Sequence, residues 1–358
     1  MVLGSLRCGK ISPDSNDMNM KNIAFFFILF CVGCSPRDDI KLNDIQVEFT
    51  DFAETDSLLF ASLSEEIIEE PSEMKLWDNF LIINDFNKSG DNFISFYSLE
   101  KNEIIETRMN KGMGPGEMLS CSINILGDDL WLYDMSKSNI VCFPLLEISN
   151  DRLKPLQYQL SKYYYDIAML NDTIMVGSND LTINKKISFV NIKNGDIRYS
   201  GEYSYVNPNI PMSSFIDACN SYIEVNPKTK DILLAYRYTD VIEIYDSEGN
   251  LKNSVHGPDC FEIKFQPGSY GMRKTKETRK AFVNAYVTEK HIYLLYSGCT
   301  REEKNWSDGN EIFVYSWSGV PEKRYILNQP VYSFAVDECS GYIYSYSLES
   351  SELIKAVM

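Results

Sequence analysis

Apolar and polar positions along this chain fall into a phrase that recurs six times: a short apolar run, a polar turn, then a second apolar or alternating run. The leading runs are Asn79-Phe-Leu-Ile-Ile83, Asp129-Leu-Trp-Leu-Tyr133, Asp172-Thr-Ile-Met-Val176, Asp231-Ile-Leu-Leu-Ala235, Lys290-His-Ile-Tyr-Leu-Leu-Tyr296 and Gly341-Tyr-Ile-Tyr-Ser345. Runs this short, rich in β-branched and aromatic residues and bounded by Asp, Asn and Gly, predict strands. Second strands follow at Asn92-Phe-Ile-Ser-Phe-Tyr97, Asn139-Ile-Val-Cys-Phe143, Lys186-Ile-Ser-Phe-Val190, Val241-Ile-Glu-Ile-Tyr245, Glu311-Ile-Phe-Val-Tyr315 and Glu352-Leu-Ile-Lys-Ala-Val357. Several run on into tight turns such as Tyr245-Asp-Ser-Glu-Gly-Asn-Leu251, where Gly and Asn supply positive φ. One such unit cannot bury both of its faces, so repetition predicts sheets stacked around a common axis, an all-β six-bladed β-propeller. Seven blades are the alternative count, and the chain length makes them tight.

The last phrase stops at Met358, directly after its second long strand. The sixth sheet therefore lacks an outer strand of its own, and an N-terminal strand is expected to complete it and close the ring. The alternating segment Ile45-Gln-Val-Glu-Phe49 is the candidate. Closure of this kind removes two exposed sheet edges. The spacing between phrases stretches at 205–220 and 257–287, which marks two insertions. In the second, Arg273, Lys276, Glu277 and Lys280 recur at helical intervals, so a helix is expected there.

Of the 358 residues, 44% are apolar and 13% aromatic, ample for a packed core. The formal charge is −17. Residues 1–33 carry Arg7, Lys10 and Lys21 against Asp14 and Asp17, so the remainder is more acidic still. Such a body repels phosphate backbones, which disfavours nucleic acid as a partner.

The amino terminus reads as an export segment. Met20-Lys21 gives a minimal basic start, and Ile23 to Val32 is an apolar run too short to span a bilayer. Gly33-Cys34 follows, resembling a bacterial lipobox with Cys31 where that motif usually has Leu; the resemblance implies cleavage before Cys34 and its lipidation. Residues 1–33 are thus expected to be an over-extended start plus a signal peptide, 34–41 a lipidated Cys and polar tether, and 42–358 one propeller. Membrane attachment is expected through the lipid alone. Cys121, Cys142, Cys219, Cys260, Cys299 and Cys339 are scattered without zinc or redox spacing, and no pairing follows from sequence.

Chemistry is sparse. His256 and His291 are the only histidines and form no ligand pair, and no serine nucleophile elbow is present. No metal or cofactor is expected. Asp85 and Asp134 hold matching positions after their strands; they either face a channel as a Ca²⁺ or acid/base pair or cap turns. A cluster of carboxylates facing each other in a deep channel is the feature that favours an enzyme, a shallow aromatic-rimmed face the one that favours binding. The strongest recognition candidate is Tyr270-Gly-Met-Arg-Lys-Thr-Lys-Glu-Thr-Arg-Lys280, cation-rich in an acidic protein, with Tyr270, Arg273, Lys274, Arg279 and Lys280 as contacts; a solvated charged loop is the alternative. The run Tyr163-Tyr-Tyr165 reads as strand packing or as a sugar platform.

Gly112-Met-Gly-Pro-Gly-Glu117 lacks the Lys-Ser/Thr of a phosphate loop. Gly112, Gly114, Pro115 and Gly116 form a tight corner between blades, with Glu117 placed to bind amides there. Together with Ile292-Tyr-Leu-Leu-Tyr-Ser-Gly298 and Val314-Tyr-Ser-Trp-Ser-Gly319, this phrase resembles the TolB-like six-bladed propeller lipoproteins of Bacteroidetes, from about Leu42 to the carboxyl end. Where relatives commonly carry a basic residue after Ser-Gly, this chain has Cys299. The resemblance implies an outer-membrane lipoprotein, periplasmic or surface-facing, and attaches no reaction to it. The expected activity is non-catalytic binding of an envelope protein, peptide or glycan through loops or channel, with a carboxylate-dependent carbohydrate-active hydrolase or lyase as the alternative.

Overall fold

The computed structural model describes residues 48–64, 71–86, 91–150, 154–205 and 207–358. These all belong to the compact unit Asp38–Met358. Cys34, the leader and the tether lie outside the described residues.

Six sheets form in chain order, each antiparallel through its first three strands. The first comprises Pro71–Trp77, Phe80–Asp85, Asn92–Ser98 and Glu103–Asn110. The innermost strands of the other five are Ser122–Leu126, Asp166–Met169, Ser221–Val225, Phe282–Val287 and Phe334–Asp337. The leading runs of the sequence are the second strands of these sheets, and blades cover them on both faces. That is why Ile232–Tyr236 is apolar without alternation and buried throughout.

The amino-terminal segment closes the ring, but not with the expected residues. Ala61–Ser64 pairs antiparallel with Glu352–Val357 as the fourth strand of the last sheet. Before it, Glu54–Leu58 adds a fifth, parallel strand to the preceding sheet, beside Pro321–Val331. Ile45 to Val47 lie outside the described residues, and Glu48 and Phe49 belong to no strand. The closing segment is anchored by Leu58 and Phe60, both buried, while the rest of it is an outer edge that reads as polar.

Both insertions sit on the rim where each second strand ends and each first strand begins. The first contains the helix Met212–Ala218. The second forms a small hairpin of Gln266–Pro267 and Met272–Arg273 rather than the expected helix. Gly268 and Gly271 supply its tight tip, and after it Lys276 and Glu277 lie in a turn in which Thr278 N donates to Thr275 O at 3.3 Å. Helix and hairpin pack on each other: Asp217 Oδ2 accepts from Met272 N at 2.8 Å, and Ser214 Oγ donates to Gly271 O at 3.1 Å.

Neighbouring blades are stitched along the axis by side chains of the innermost strands. Glu73 Oε2 accepts from Ile123 N at 2.7 Å, Asn124 Nδ2 donates to Ile167 O at 3.0 Å, and Asp166 Oδ2 accepts from Ile223 N at 3.1 Å. Ser333 Oγ donates to Pro71 O at 2.7 Å, joining the last blade to the first. Farther out, Lys186 and Glu243 form a wholly buried pair at 2.6 Å, with the hydroxyls of Tyr236 and Tyr245 donating to the carboxylate.

Candidate functional site

Two cavities lie on the axis. One of about 250 Å³ opens toward the rim bearing the insertions and is lined by Glu73, Asn84, Asp166, Tyr222 and Arg237 among others. The other, about 390 Å³, faces the opposite rim and includes Lys75, Trp77 and Tyr286. Glu224 and Asn124 contribute to both. At that level Lys75 Nζ reaches Glu224 Oε1 at 2.5 Å, with Glu73 Oε1 at 3.9 Å. The pair joins the innermost strands of the first and fourth blades, which face each other across a six-membered ring.

The axial carboxylates are poised unusually. Burial pushes Glu73 up to about 8; Asp166 and Glu224 add to the rise, and Lys75 and the Ile123 amide oppose it. Burial pushes Asp166 up to about 7, reinforced by Glu224 and opposed by Lys75 and by the Ile223 and Ile167 amides. Lys75 is held charged by Glu224 and Glu73 against its own burial. Among the described residues, no group of three or more His, Cys, Asp or Glu is placed to hold a metal ion.

At the lip of the first cavity stand Arg237, Tyr165 and Tyr222, and beside them a cationic and aromatic cluster of Lys274, Lys280 and Trp306. Arg237, the residue after the second strand of the fourth blade, lies between the rings of Tyr165 at 5.1 Å and Tyr222 at 5.3 Å. Its Nη1 donates to the Tyr165 hydroxyl. Its carbonyl accepts from Ala281 N at 2.8 Å, which brings Lys280 alongside. Lys280 is only 6% exposed, and its Nζ lies 4.4 Å from the Trp306 ring centroid. Lys274 Nζ is 5.3 Å from the same ring and 5.6 Å from that of Tyr238. Among the described residues, none of Arg237, Lys274 and Lys280 has a carboxylate within ion-pair distance. Burial draws Lys280 down to about 7, and Arg237 and Lys274 push the same way while Asp308 opposes. Two donors here, Arg237 Nε and Trp306 Nε1, are buried without an acceptor.

The cation-rich segment read from sequence is thus divided. Lys274 and Lys280 meet at the lip. Arg279 turns to Asp259 at 3.6 Å and stacks over Phe261. Arg273 Nε donates to Pro267 O within its own hairpin. Tyr270, at the hairpin tip, is 90% exposed and belongs to neither group.

Other candidates resolve into structure. Asp134 is fully buried and accepts from Leu119 N at 2.7 Å, Ser120 Oγ at 2.8 Å and Lys137 N at 3.1 Å, so it caps turns. Asp85 ends its strand. In the glycine corner, Glu117 Oε2 accepts from Gly114 N at 2.7 Å, and a Cβ at Gly112 would meet that oxygen at 2.1 Å. Lys137 Nζ donates to the carbonyls of Gly112 and Glu117 from outside, and Pro115 and Gly116 complete the turn. The tyrosine run splits, with Tyr163 exposed, Tyr164 buried and Tyr165 at the lip.

Sequence reasoning missed Glu73, Lys75, Asp166, Glu224 and Arg237. The first four sit on innermost strands, whose mixed polarity gives no apolar run. Asp166 opens its strand and Glu73, Lys75 and Glu224 lie inside theirs, so no shared position marked them.

Residues 48–339 match the family described as TolB-like 6-blade propeller-like. No curated protein matches. Among solved structures, one from Bacteroides fragilis, named as an exported protein, is similar at a TM-score of 0.57 and 11% identity, covering 87% of this chain and 99% of its own. A member of the DUF4221 family from Bacteroides vulgatus is similar at a TM-score of 0.54 and 11% identity, covering 84% and 96%. At such identities the likeness speaks for the fold. No helix among the described residues is long and apolar enough to cross a membrane.

Proposed function

The chain belongs to the TolB-like 6-blade propeller family, and we propose that it is an exported, non-catalytic binding module of the cell envelope, held by lipid at Cys34. It takes an anionic group of a protein, peptide or glycan partner at the lip formed by Arg237, Lys274 and Lys280.

One observation carries this reading: Lys280 is buried against Trp306 with no carboxylate within ion-pair distance among the described residues, Asp308 lying beyond that distance, in a protein where carboxylates outnumber cations. A buried ammonium without a paired carboxylate is costly, and a ligand anion lowers the cost. Aromatic neighbours add apolar contact area at the same place. The exported relative and the leader sequence support the envelope location.

A carboxylate-dependent enzyme is the second reading, favoured by Glu73 and Asp166 titrating near neutrality in a cavity. Each, however, already accepts an amide from the next blade, which is a structural use.

The test is an array of acidic peptides and acidic glycans probed with the unit Asp38–Met358 and with an R237Q/K280M variant. Binding to anionic features that the variant loses supports the proposal. Equal binding by the variant overturns the site, and turnover of any polysaccharide by the purified protein overturns the non-catalytic reading.

A further inference from the structure

The two ends of the upper axial cavity are chemically opposite. At the lip the surplus is of donors: Arg237 lines the cavity with no carboxylate within ion-pair distance among the described residues, and its Nε is buried without an acceptor. Deeper, the surplus is of acceptors. Glu73 and Asp166 each spend oxygen lone pairs on backbone amides, and the one ammonium nearby, Lys75, lies closest to Glu224. Asn84 lines the same cavity, is 1% exposed, and its Oδ1 has no hydrogen-bond partner, although its Nδ2 donates to Cys121 O at 2.5 Å. Asn84 stands opposite Glu73 in the strand register, so both side chains leave the same face of the sheet. Buried acceptors left unpaired are costly in a way that a donor-bearing ligand relieves.

We propose that this cavity binds a small amino-carboxylate, such as a free amino acid or the end of a short peptide, with its ammonium among Glu73, Asp166 and Asn84 and its carboxylate at Arg237. The inference rests on the reading of the lip as an anion seat and adds the second, cationic end of the ligand. A cavity of about 250 Å³ accommodates a molecule of this size and not a folded partner. A neutral sugar would satisfy the acceptors but leave Arg237 without a counter-ion. A bare metal ion lacks the grouped ligands it would need among the described residues.

Binding carries a proton signature. Around Glu73 stand Asp166, Glu224 and Lys75, with the Cys121 thiol near; around Asp166 stand Glu224 and Lys75. Of these, Glu73 and Asp166 are raised to about 8 and about 7, so both are at least partly protonated near neutral pH, and an entering ammonium lowers both. Protons are therefore released on binding.

The experiment is a thermal-shift screen of the full chain against the twenty amino acids and simple dipeptides. Titration calorimetry follows with any ligand found, its deaminated analogue and its decarboxylated analogue, in buffers of different ionisation enthalpy. The expected result is binding by at least one amino-carboxylate, tenfold or greater loss for each analogue, and proton release near pH 7. E73Q should weaken the intact ligand about tenfold and leave the deaminated analogue unchanged; R237Q should do so while leaving the decarboxylated analogue unchanged. Both variants are checked for a native melting transition, and N84L provides a second probe of the deep end. Absence of binding by every amino-carboxylate overturns the inference. If the deaminated analogue binds as tightly as the intact ligand and R237Q abolishes it, the inference falls while the anion seat stands; if R237Q has no effect, both fall.

Discussion

Lys75 and Glu224 meet at 2.5 Å across the propeller axis, the one from the first blade and the other from the fourth. Their side chains are 12% and 16% exposed, so the contact is a largely buried ion pair linking opposite sides of the ring. Breaking such a pair strands a charge, whereas replacing both members by apolar groups does not. K75M should lower stability by about 3 kcal/mol. The double variant K75M/E224L should recover most of that loss. Urea unfolding of the three proteins at pH 7 measures both, and equal stability of wild type and K75M refutes the axial role.

The raised carboxylates set a pH dependence. Glu73 and Asp166, near 8 and 7 in the fold, bind more protons folded than unfolded across the interval above the ordinary carboxylate range. Stability from these groups is complete below their unfolded values and is lost as pH rises to about 8. E73Q and D166N should therefore flatten the decline between pH 5 and 8 and surpass wild type at the upper end, as melting temperatures across pH would show.

Lys280 has the opposite sign. Its folded value near 7 lies below its unfolded value, so its contribution is present at high pH and lost as pH falls through 7. With packing preserved, K280M should match wild type only above about pH 10.5, and should gain on it progressively as the pH falls to about 7. A constant difference between the two proteins at every pH would show that Lys280 is charged throughout.

Ring closure depends on a few anchors. Leu58 is 1% exposed in the parallel strand that precedes the closing one. L58A should cost about 2 to 5 kcal/mol, as for a large-to-small change in a core. Hydrogen exchange should show the loss concentrated in Glu352–Val357 and Pro321–Val331, the strands that Glu54–Ser64 covers. Uniform loosening of all six blades would contradict local closure.

The two insertions are joined at Asp217, whose Oδ2 accepts from Met272 N. D217A should free the hairpin, speeding exchange of the Met272 amide and proteolysis near Gly268, with about 1 kcal/mol or less of global cost. Unchanged exchange at Met272 would show that the helix does not hold the hairpin.

Much of the fold was legible because each blade is a local object. Period-two patterning and apolar second strands such as Ile232–Tyr236 report burial that neighbours impose on every blade alike. That an N-terminal strand completes the last sheet, beside Glu352–Val357, followed from the repeat. Its identity did not, since an edge strand such as Ala61–Ser64 buries too little to leave a pattern. The helix was misplaced because the charges at helical spacing in the second insertion belong to a hairpin and a turn, Arg273, Lys276 and Glu277 exposed and Lys280 buried, while Met212–Ala218 is short and has no capping side chain.

The sequence by itself determined six sheets, their order, the acidic character of the body and the presence of two insertions, because these depend on neighbours along the chain. Only the tertiary structure decided which charges meet. Lys75 and Glu224 are 149 positions apart, and Lys280 is buried against Trp306 from another loop. A charged residue reads the same in sequence whether it faces water or the axis; closure of the ring sets its dielectric and its partners, and with them its chemistry.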